Sequence, residues 1–249
     1  MHRSQGRDQI SELDGLIEQG FVEEVLGLVR TGKEASVYCC RSGLAVGADL
    51  VAAKVYRGRQ YRFKNDAVYQ EARAREMGLR GRALRAMEQK SRFGRQVQEG
   101  TWRSREYEVL RELYNAGADV PKPYAAIDGV ILMEYLGDED GAASQLNRVR
   151  LDHAEAQVLF TQLIDTTELM LACNMVHGDL SPHNVLYWQG EVRVIDFPQV
   201  TDPRFNRSAR ELLSRDVENI CRYFGQYGVE ASSGGIVFEM WERWERGEL

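Results

Sequence analysis

The sequence HGDLSPHN at residues 177–184, followed by VIDF at residues 194–197, decides the fold class of this chain. It places Asn184 five residues after Asp179, and a second aspartate, Asp196, after an apolar stretch. Phosphoryl transfer needs such a set, because a carboxylate must lie near the attacking group and two oxygen ligands must hold the metal that neutralises the phosphates. The order H-G-D-L-x-x-x-N, then [VI]-I-D, therefore predicts a phosphoryl-transfer site.

Length and composition limit the classes of protein to consider. The chain has 249 residues, of which 43% are hydrophobic, so it can bury a substantial core and is not expected to be disordered. No stretch approaches the roughly 18 apolar residues of a membrane span, and the N-terminus does not resemble a signal peptide. The cysteines lack the spacing of a metal site. We expect a soluble, cytoplasmic protein without a membrane partner.

The net charge of −6 conceals a basic region. Between Arg57 and Arg105, basic residues outnumber acidic ones by roughly two or three to one, whereas the remainder of the chain is acidic. One interpretation is a solvated helix face. The other is a surface for an acidic substrate or for phosphates, such as those of RNA or a ribosomal particle. Aromatic residues are few here, so base stacking is not well supported.

The hydrophobic pattern predicts a strand-rich first half and a helix-rich second half. Predicted strands lie at 21–30, 36–40, 50–56, 129–135, 185–187 and 192–195. Predicted helices lie at 11–19, 66–89, 101–116, 151–173, 212–227 and 236–244. This order is typical of an α+β fold with two unequal lobes.

The turn at residues 27–33 fits G-x-x-x-x-G-K, the start of a Walker A loop. Position 34 is Glu34, however, where a serine or threonine should hold magnesium, and a strand-like stretch follows where a helix should begin. A glycine-containing turn that covers nucleotide phosphates fits the same residues better. Its amides would face the phosphates, and Ser36 would add a hydroxyl.

Lys54 lies within an apolar strand, where a lone ammonium group would be costly to bury. One interpretation is an edge-strand lysine that reaches solvent. In the context of the 177–197 motifs, we expect Lys54 to contact the α- and β-phosphates of a nucleotide and to be positioned by a glutamate on the next helix. Glu106 and Glu108 are both candidates. Glu106 lies at helical spacing from apolar neighbours on both sides, so we predict that it points inward and that Glu108 faces water.

Three stretches together resemble the RIO family of atypical serine/threonine protein kinases. TGKEASVY at 31–38 is similar to that family's S-T-G-K-E-A-N/D-V-Y loop and is closer to its first subtype. HGDLSPHN matches the catalytic loop, and IDFPQ at 195–199 matches the metal loop in the form of the second subtype. Arg215-Asp216 resembles a recurrent family feature, and the resemblance runs from about residue 22 to residue 227.

The resemblance implies a bilobal protein-kinase-like fold that forms one RIO-type domain over 1–249. A small β-rich N-lobe would span about 20–136 and a helical C-lobe about 137–249. The implied cofactors are ATP and Mg²⁺, with Mn²⁺ as an alternative metal.

The resemblance also implies roles for individual residues. Asp179 would be the catalytic aspartate, and Asn184 and Asp196 would ligate the metal. Asp196 would also be a catalytic residue, because in some members this aspartate is transiently phosphorylated. Nucleotide binding is implied for Lys54, Glu106, Gly32, Lys33, Ser36, Val37, Met133, Glu134 and Leu136.

Members of this family phosphorylate serine or act mainly as ATPases, and ribosome assembly is their usual setting in archaea and eukaryotes. The implied activity is phosphoryl transfer from ATP to a protein serine or threonine hydroxyl, ATP hydrolysis, or both, and the protein substrate is unknown.

Two alternatives stay open. A small-molecule phosphotransferase of the aminoglycoside or choline kinase type shares H-G-D-L-x-x-x-N, but usually has a second acidic residue where Pro198 and Gln199 stand here. An RNA- or ribonucleoprotein-binding module with weak ATPase activity would use the basic 57–105 region and bind RNA in a salt-sensitive manner.

Overall fold

A computed structural model describes residues 13–56, 105–127 and 129–249 of the chain. In chain order they form helix α1 (13–18), strands β1 (Val22–Thr31), β2 (Ala35–Ser42) and β3 (Leu50–Tyr56), helix α2 (105–116), strands β4 (Pro123–Ile127), β5 (Val130–Glu134), β6 (Gly137–Asp138), β7 (Gly141–Ala142) and β8 (Ser144–Gln145), helix α3 (His153–Ala172), strands β9 (Val185–Trp188) and β10 (Glu191–Val194), and helices α4 (Ala209–Gly225) and α5 (Ser233–Glu245). Short 3₁₀ turns lie at Leu146–Arg148 and Pro182–Asn184.

The described residues fall into two compact units. Unit one contains residues 13–56, 105–108 and 121–142, and unit two contains residues 109–120 and 143–249. Helix α2 therefore contributes its first four described residues, 105–108, to unit one and its remainder to unit two. The division into an N-lobe and a C-lobe near residue 136 stays a prediction.

Unit one is built on an antiparallel sheet with the strand order β1-β2-β3-β5-β4. Strand β3 has the sequence LVAAKVY, and its Val51, Ala53 and Val55 are fully buried in the core that also contains apolar residues of α1. Successive side chains of a strand point to opposite faces. Lys54 therefore lies on the face opposite this core.

Unit two combines the antiparallel sheet β10-β9-β8 with helices α3, α4 and α5. Helix α3 begins after Asp152, whose side chain accepts the Glu155 N–H at 2.9 Å and so satisfies one of the unpaired donors of the first turn. Leu213 and Val217 of α4 pack with Met240 of α5 in the core of this unit. This packing fixes the helix that holds the HGDLSPHN loop.

The predicted α+β class and its kinase-like order, an N-terminal antiparallel sheet followed by helices, are confirmed. Helices α4 and α5 begin at Ala209 and Ser233, three residues before the predicted starts. For α5 the reason is Ser232, whose hydroxyl accepts the Gly235 N–H at 3.3 Å. The sequence pattern does not predict β4, nor the two-residue strands β6, β7 and β8, which are too short to show alternation.

Several predictions fall outside the described residues. These are the helix 66–89, the first residues of the helices 11–19 and 101–116, and the basic region 57–105 apart from Arg105. Within the described ranges, no helix is both long enough and apolar enough to cross a membrane. The four cysteines, Cys39, Cys40, Cys173 and Cys221, are free thiols.

We expect Leu132→Ala to lower the free energy of unfolding by about 2–5 kcal/mol, because the truncation removes apolar contacts and leaves a cavity. Leu132 is fully buried in β5, between β3 and β4. Leu44→Ala is the matched control: Leu44 is fully exposed, so its truncation should change stability by less than about 0.5 kcal/mol. Urea denaturation measures both, and equal losses would contradict the assigned core.

Candidate active site

The backbone of the HGDLSPHN loop is held by a carboxylate of helix α4. Asp216 is only 1% exposed. Its Oδ2 accepts the Gly178 N–H at 2.7 Å, and its Oδ1 accepts the Leu180 N–H at 2.8 Å. These bonds lie on both sides of Asp179. The backbone of Asp179 is therefore fixed while its side chain stays exposed.

Helix α4 also donates hydrogen bonds to the same loop. Arg215 Nη2 lies 2.7 Å from the Gly178 carbonyl oxygen, and Asn219 Nδ2 lies 3.0 Å from that of Leu180. Burial raises the pKa of Asp216 to about 7, while its two N–H donors and the Arg215 charge act in the opposite direction. Since both oxygens of Asp216 accept N–H groups, the ionised carboxylate suits this position.

His177 joins the catalytic loop to the metal loop, residues 195–199. Its Nε2 donates to the Ile195 carbonyl oxygen at 3.3 Å, and its Nδ1 accepts the Asp179 N–H at 3.3 Å. Only the neutral imidazole can make both bonds. Burial lowers the pKa of His177, although the Ile195 carbonyl oxygen and the carboxylates of Asp196 and Asp179 act to raise it. The ring also packs against Phe197, with centroids 5.4 Å apart.

Asp179 and Asn184 lie on either side of a short turn and contact each other. Asn184 Nδ2 donates to the main-chain oxygen of Asp179 at 2.9 Å and lies 3.5 Å from its Oδ2. This orientation leaves Asn184 Oδ1 without a hydrogen bond among the described residues, so it can ligate a cation. Asp179 forms no ion pair within the described part of the chain. Its carboxylate is thus open to a reacting group.

The metal loop turns at Asp196, which is exposed and has φ = +73°. This left-handed conformation is disfavoured for most residues but tolerated by aspartate, whose short side chain can hydrogen-bond locally. Ile195 N–H donates to the Asn184 carbonyl oxygen at 2.9 Å. At Gly178 (φ = +80°), an added Cβ would lie 3.1 Å from the Gln199 carbonyl oxygen. The two loops therefore pack backbone to backbone.

Unit one contains a buried ion pair on the sheet face opposite its core. Lys54 Nζ lies 2.6 Å from Glu106 Oε1, and the two side chains are 12% and 7% exposed. Glu108 is exposed, as its position on the helix predicts. Because desolvation offsets much of the attraction, a buried pair is weak evidence for stability. Its chemical consequence is a lysine held in one place, ready to contact an anion.

Strand register separates two of the residues that were predicted to bind phosphate. Val37 pairs with Lys54, so the two side chains share a face of the sheet. Ser36 pairs with Val55, is fully buried, and has its hydroxyl 3.5 Å from that of Thr31. The structure thus places Val37 beside Lys54 and Ser36 on the core face, and a nucleotide-binding role for either stays a prediction.

The remaining predicted nucleotide contacts also belong to unit one. Gly32 donates its N–H to the carbonyl oxygen of residue 35 at 2.8 Å, and Lys33 is exposed. Met133 and Glu134 end strand β5. The N–H of Leu136, just beyond, has no hydrogen-bond partner among the described residues. It can therefore donate to a ligand such as a nucleotide base.

The donor set is suited to a metal that arrives with phosphates. Within the described residues, no group of three histidine, cysteine, aspartate or glutamate side chains could hold a metal ion. Asn184 and Asp196 supply oxygen atoms, the donors that Mg²⁺ prefers, and Mg²⁺ sites commonly use one or two carboxylates with water and substrate phosphates. The residues present thus fit a magnesium–nucleotide complex.

Sequence comparison agrees with this chemistry. The fold of this chain, together with its loops at 177–184 and 195–199, is that of the protein-kinase-like class of enzymes. A family model described as the RIO domain matches residues 36–234. The chain therefore belongs to the RIO domain family.

Three relatives illustrate the similarity. A RIO-type serine/threonine-protein kinase Rio1 from Haloferax volcanii is 30% identical over 89% of this chain and 70% of its own length. One from Thermoplasma acidophilum is 34% identical over 54% of this chain and 69% of its own. The serine/threonine-protein kinase RIO1 from Caenorhabditis elegans is 29% identical over 90% of this chain but only 42% of its own length. The chain thus spans less than half of that eukaryotic relative.

The sequence interpretation assigned no role to several residues that shape the site. The sequence motifs include Asp216 only as part of an Arg-Asp pair and do not include Asn219. The signal that points to Asp216 is a carboxylate at a buried position of an amphipathic helix, four residues after the buried Leu212. A buried charge needs partners, and here the partners are loop N–H groups 36 and 38 residues away in sequence.

The neutral state of His177 predicts a specific dependence of stability on pH. Below the unfolded-state pKa near 6.5, the unfolded chain binds a proton that the folded chain excludes, so stability falls as pH falls. Between pH 7.5 and 5.5 this should cost the wild type about 1 kcal/mol more than His177→Gln. Urea denaturation at both pH values measures the difference, and the titration of Asp216 is common to both proteins. Equal pH slopes would contradict a neutral buried His177.

The Lys54–Glu106 pair predicts a contrast between two neighbouring glutamates. Glu106→Gln leaves a buried ammonium group without its counter-charge and should lower the free energy of unfolding by about 3 kcal/mol. Glu108→Gln is the matched control on the same helix and, being exposed, should cost less than about 0.5 kcal/mol. Chemical denaturation of both variants measures the two free energies of unfolding. A loss at position 108 as large as that at position 106 would show that the pair is not the buried one.

Proposed function

We propose that this chain transfers the γ-phosphoryl group of ATP, with Mg²⁺, to a serine or threonine hydroxyl of a protein, and that it hydrolyses ATP when water replaces the hydroxyl. The observation that carries the proposal is the contact between Asp179 and Asn184. It leaves a carboxylate open to the attacking group and an amide oxygen free for the metal. The relatives reported above are serine/threonine-protein kinases, which favours a protein acceptor over a small molecule.

In the proposed reaction, Asp179 accepts the proton of the attacking hydroxyl. The hydroxyl oxygen forms a bond to the γ-phosphorus, the bond from that phosphorus to the bridging oxygen breaks, and ADP leaves. Asn184 Oδ1 and the Asp196 carboxylate would hold Mg²⁺, which when bound neutralises phosphate charge. Lys54, positioned by Glu106, would stabilise charge on the α- and β-phosphates.

A second route uses Asp196 itself as the acceptor. Its carboxylate oxygen would form a bond to the γ-phosphorus as ADP leaves, and water would then hydrolyse the acyl phosphate. The exposure of Asp196 and its left-handed backbone conformation support this route, since residues in sparsely populated conformations often occur at reacting positions. Net ATP hydrolysis would result without a protein acceptor.

The partner in the basic region and the compartment stay predictions. Residues 57–105 carry the charge for RNA or a ribosomal particle, and all but Arg105 lie outside the described part. Salt-sensitive RNA binding that is unchanged in Asp179→Asn would favour this role over one coupled to catalysis. A cytoplasmic location is proposed on composition alone.

We expect Asp179→Asn to reduce release of phosphate from γ-labelled ATP by at least about a hundredfold, because the amide cannot accept the proton of the attacking group. Asp196→Asn should reduce it as well, since a metal ligand is lost. Label on the protein that is labile to hydroxylamine, present in wild type and absent in Asp196→Asn, would support the aspartyl route. Phosphate release and protein-bound label are counted separately.

The matched control is Asp165→Asn, an exposed aspartate on α3, which should retain wild-type turnover. Circular dichroism and thermal unfolding check that each variant is folded. Wild-type turnover no higher than that of folded Asp179→Asn, both without and with a protein acceptor mixture, would contradict the proposed activity.

A further inference from the structure

The loop between the metal loop and helix α4, together with the first turn of α4, carries exposed residues that the proposed reaction does not use. Phe205 is 51% exposed and the side chain of Arg204 is 56% exposed. Arg207 and Arg210 are exposed as well. We call these four residues the arginine patch. Residues 202–211 contain three arginines against one aspartate and one glutamate, a net charge of +1 (3 − 2), in a chain whose net charge is −6.

The arginine patch is built on a fixed turn. Val176 and Thr201 exchange backbone hydrogen bonds of 2.9 and 3.0 Å. Asn206 is buried between the exposed patch residues, and its Nδ2 donates to the Thr201 hydroxyl at 3.1 Å. Its Oδ1 accepts the Ser208 N–H at 2.9 Å. The turn is therefore anchored from inside, while its Arg204, Phe205 and Arg207 are exposed.

Arg204 and Phe205 form a cation–π pair within the patch. The carboxylate of Asp202 accepts two hydrogen bonds from the guanidinium of Arg204, Nε to Oδ1 at 3.0 Å and Nη2 to Oδ2 at 2.6 Å. This places the guanidinium carbon 5.6 Å from the centroid of the Phe205 ring. Because Asp202 offsets the charge of Arg204, the uncompensated charge of the patch comes from Arg207 and Arg210. Arg207 has no partner among the described residues.

The patch lies beside the catalytic loop within unit two. Val176, which pairs with Thr201, precedes Asp179 by three residues, a span of at most about 11 Å of extended chain. Arg215, further along α4, donates to the carbonyl oxygen of Gly178. Thr201 also bonds to Asn206, which lies between the patch residues, so an extended peptide segment could reach from the patch to Asp179.

We propose that the arginine patch docks an acidic segment of the protein substrate next to its phosphoacceptor hydroxyl. An exposed aromatic ring with neighbouring arginines has the composition of a protein-interface hot spot. The positive charge selects glutamate- and aspartate-rich sequence by complementarity. A long polyanion such as RNA is disfavoured here, because the basic stretch is short and the chain as a whole is acidic. This inference rests on the proposed function, since it assumes a protein acceptor.

The test is direct binding of two fluorescein-labelled peptides to the 249-residue chain, followed by fluorescence anisotropy. One peptide carries a single serine flanked by glutamates, and the other has glutamine at the same positions. We expect wild type to bind the glutamate peptide about tenfold more tightly than the glutamine peptide. Arg207→Glu should abolish this preference, and Phe205→Ala should weaken both peptides about equally. Arg150→Glu, the same charge change at another exposed arginine of unit two, should leave binding at the wild-type level.

The outcomes separate this inference from the proposed function. Peptide binding does not need turnover. A protein that turns over no ATP, either without or with a protein acceptor, but shows the Arg207-dependent preference would contradict the proposed function and leave the docking surface standing. Normal ATP hydrolysis with no preference for glutamate, or equal loss in Arg207→Glu and Arg150→Glu, would overturn the docking surface alone. A single-stranded RNA oligonucleotide that binds wild type more tightly than the glutamate peptide and is released by Arg207→Glu would reassign the patch to nucleic acid.

Discussion

The carboxylate of Asp216 is the constraint on which the catalytic loop depends. It is buried in helix α4 and accepts the N–H groups of Gly178 and Leu180, the residues that flank Asp179. A buried carboxylate without such donors would be costly, and a loop without such an acceptor would leave N–H groups unpaired. The carboxylate and the loop N–H groups thus satisfy each other's hydrogen-bonding needs. Because the bonds use only the backbone of the loop, the side chain of Asp179 stays exposed and available for chemistry.

Other groups extend the same logic through both units. Neutral His177 bonds to the backbones of Asp179 and Ile195, which ties the catalytic loop to the metal loop. In unit one, Lys54 is the buried charge and Glu106 its partner. In each case a polar group that is costly to bury is held by a defined partner. Desolvation offsets much of the attraction between the two groups, so the main result of the pairing is a fixed side-chain position rather than added stability. The arginine patch differs, because its exposed arginines carry charge that the described residues offset only in part.

The sequence was sufficient for the fold class and for the choice between Glu106 and Glu108, because hydrophobic periodicity and helical spacing are local signals. It was insufficient where contacts join distant segments. The role of Asp216 depends on loop residues more than 35 positions earlier, and no local pattern reveals that pairing. Ser36 illustrates a different limit. A turn motif does not state strand register, and a shift of one residue decides whether a side chain lies on the core face or beside Lys54.

The most direct test of the account is a crystal structure of the chain with Mg²⁺ and a non-hydrolysable ATP analogue. We expect Mg²⁺ at about 2.0–2.1 Å from Asn184 Oδ1 and from an Asp196 carboxylate oxygen, with Lys54 Nζ bonded to a phosphate oxygen. We also expect Asp216 to keep both bonds to the loop. A nucleotide bound away from Lys54, or a metal that contacts neither Asn184 nor Asp196, would contradict this arrangement.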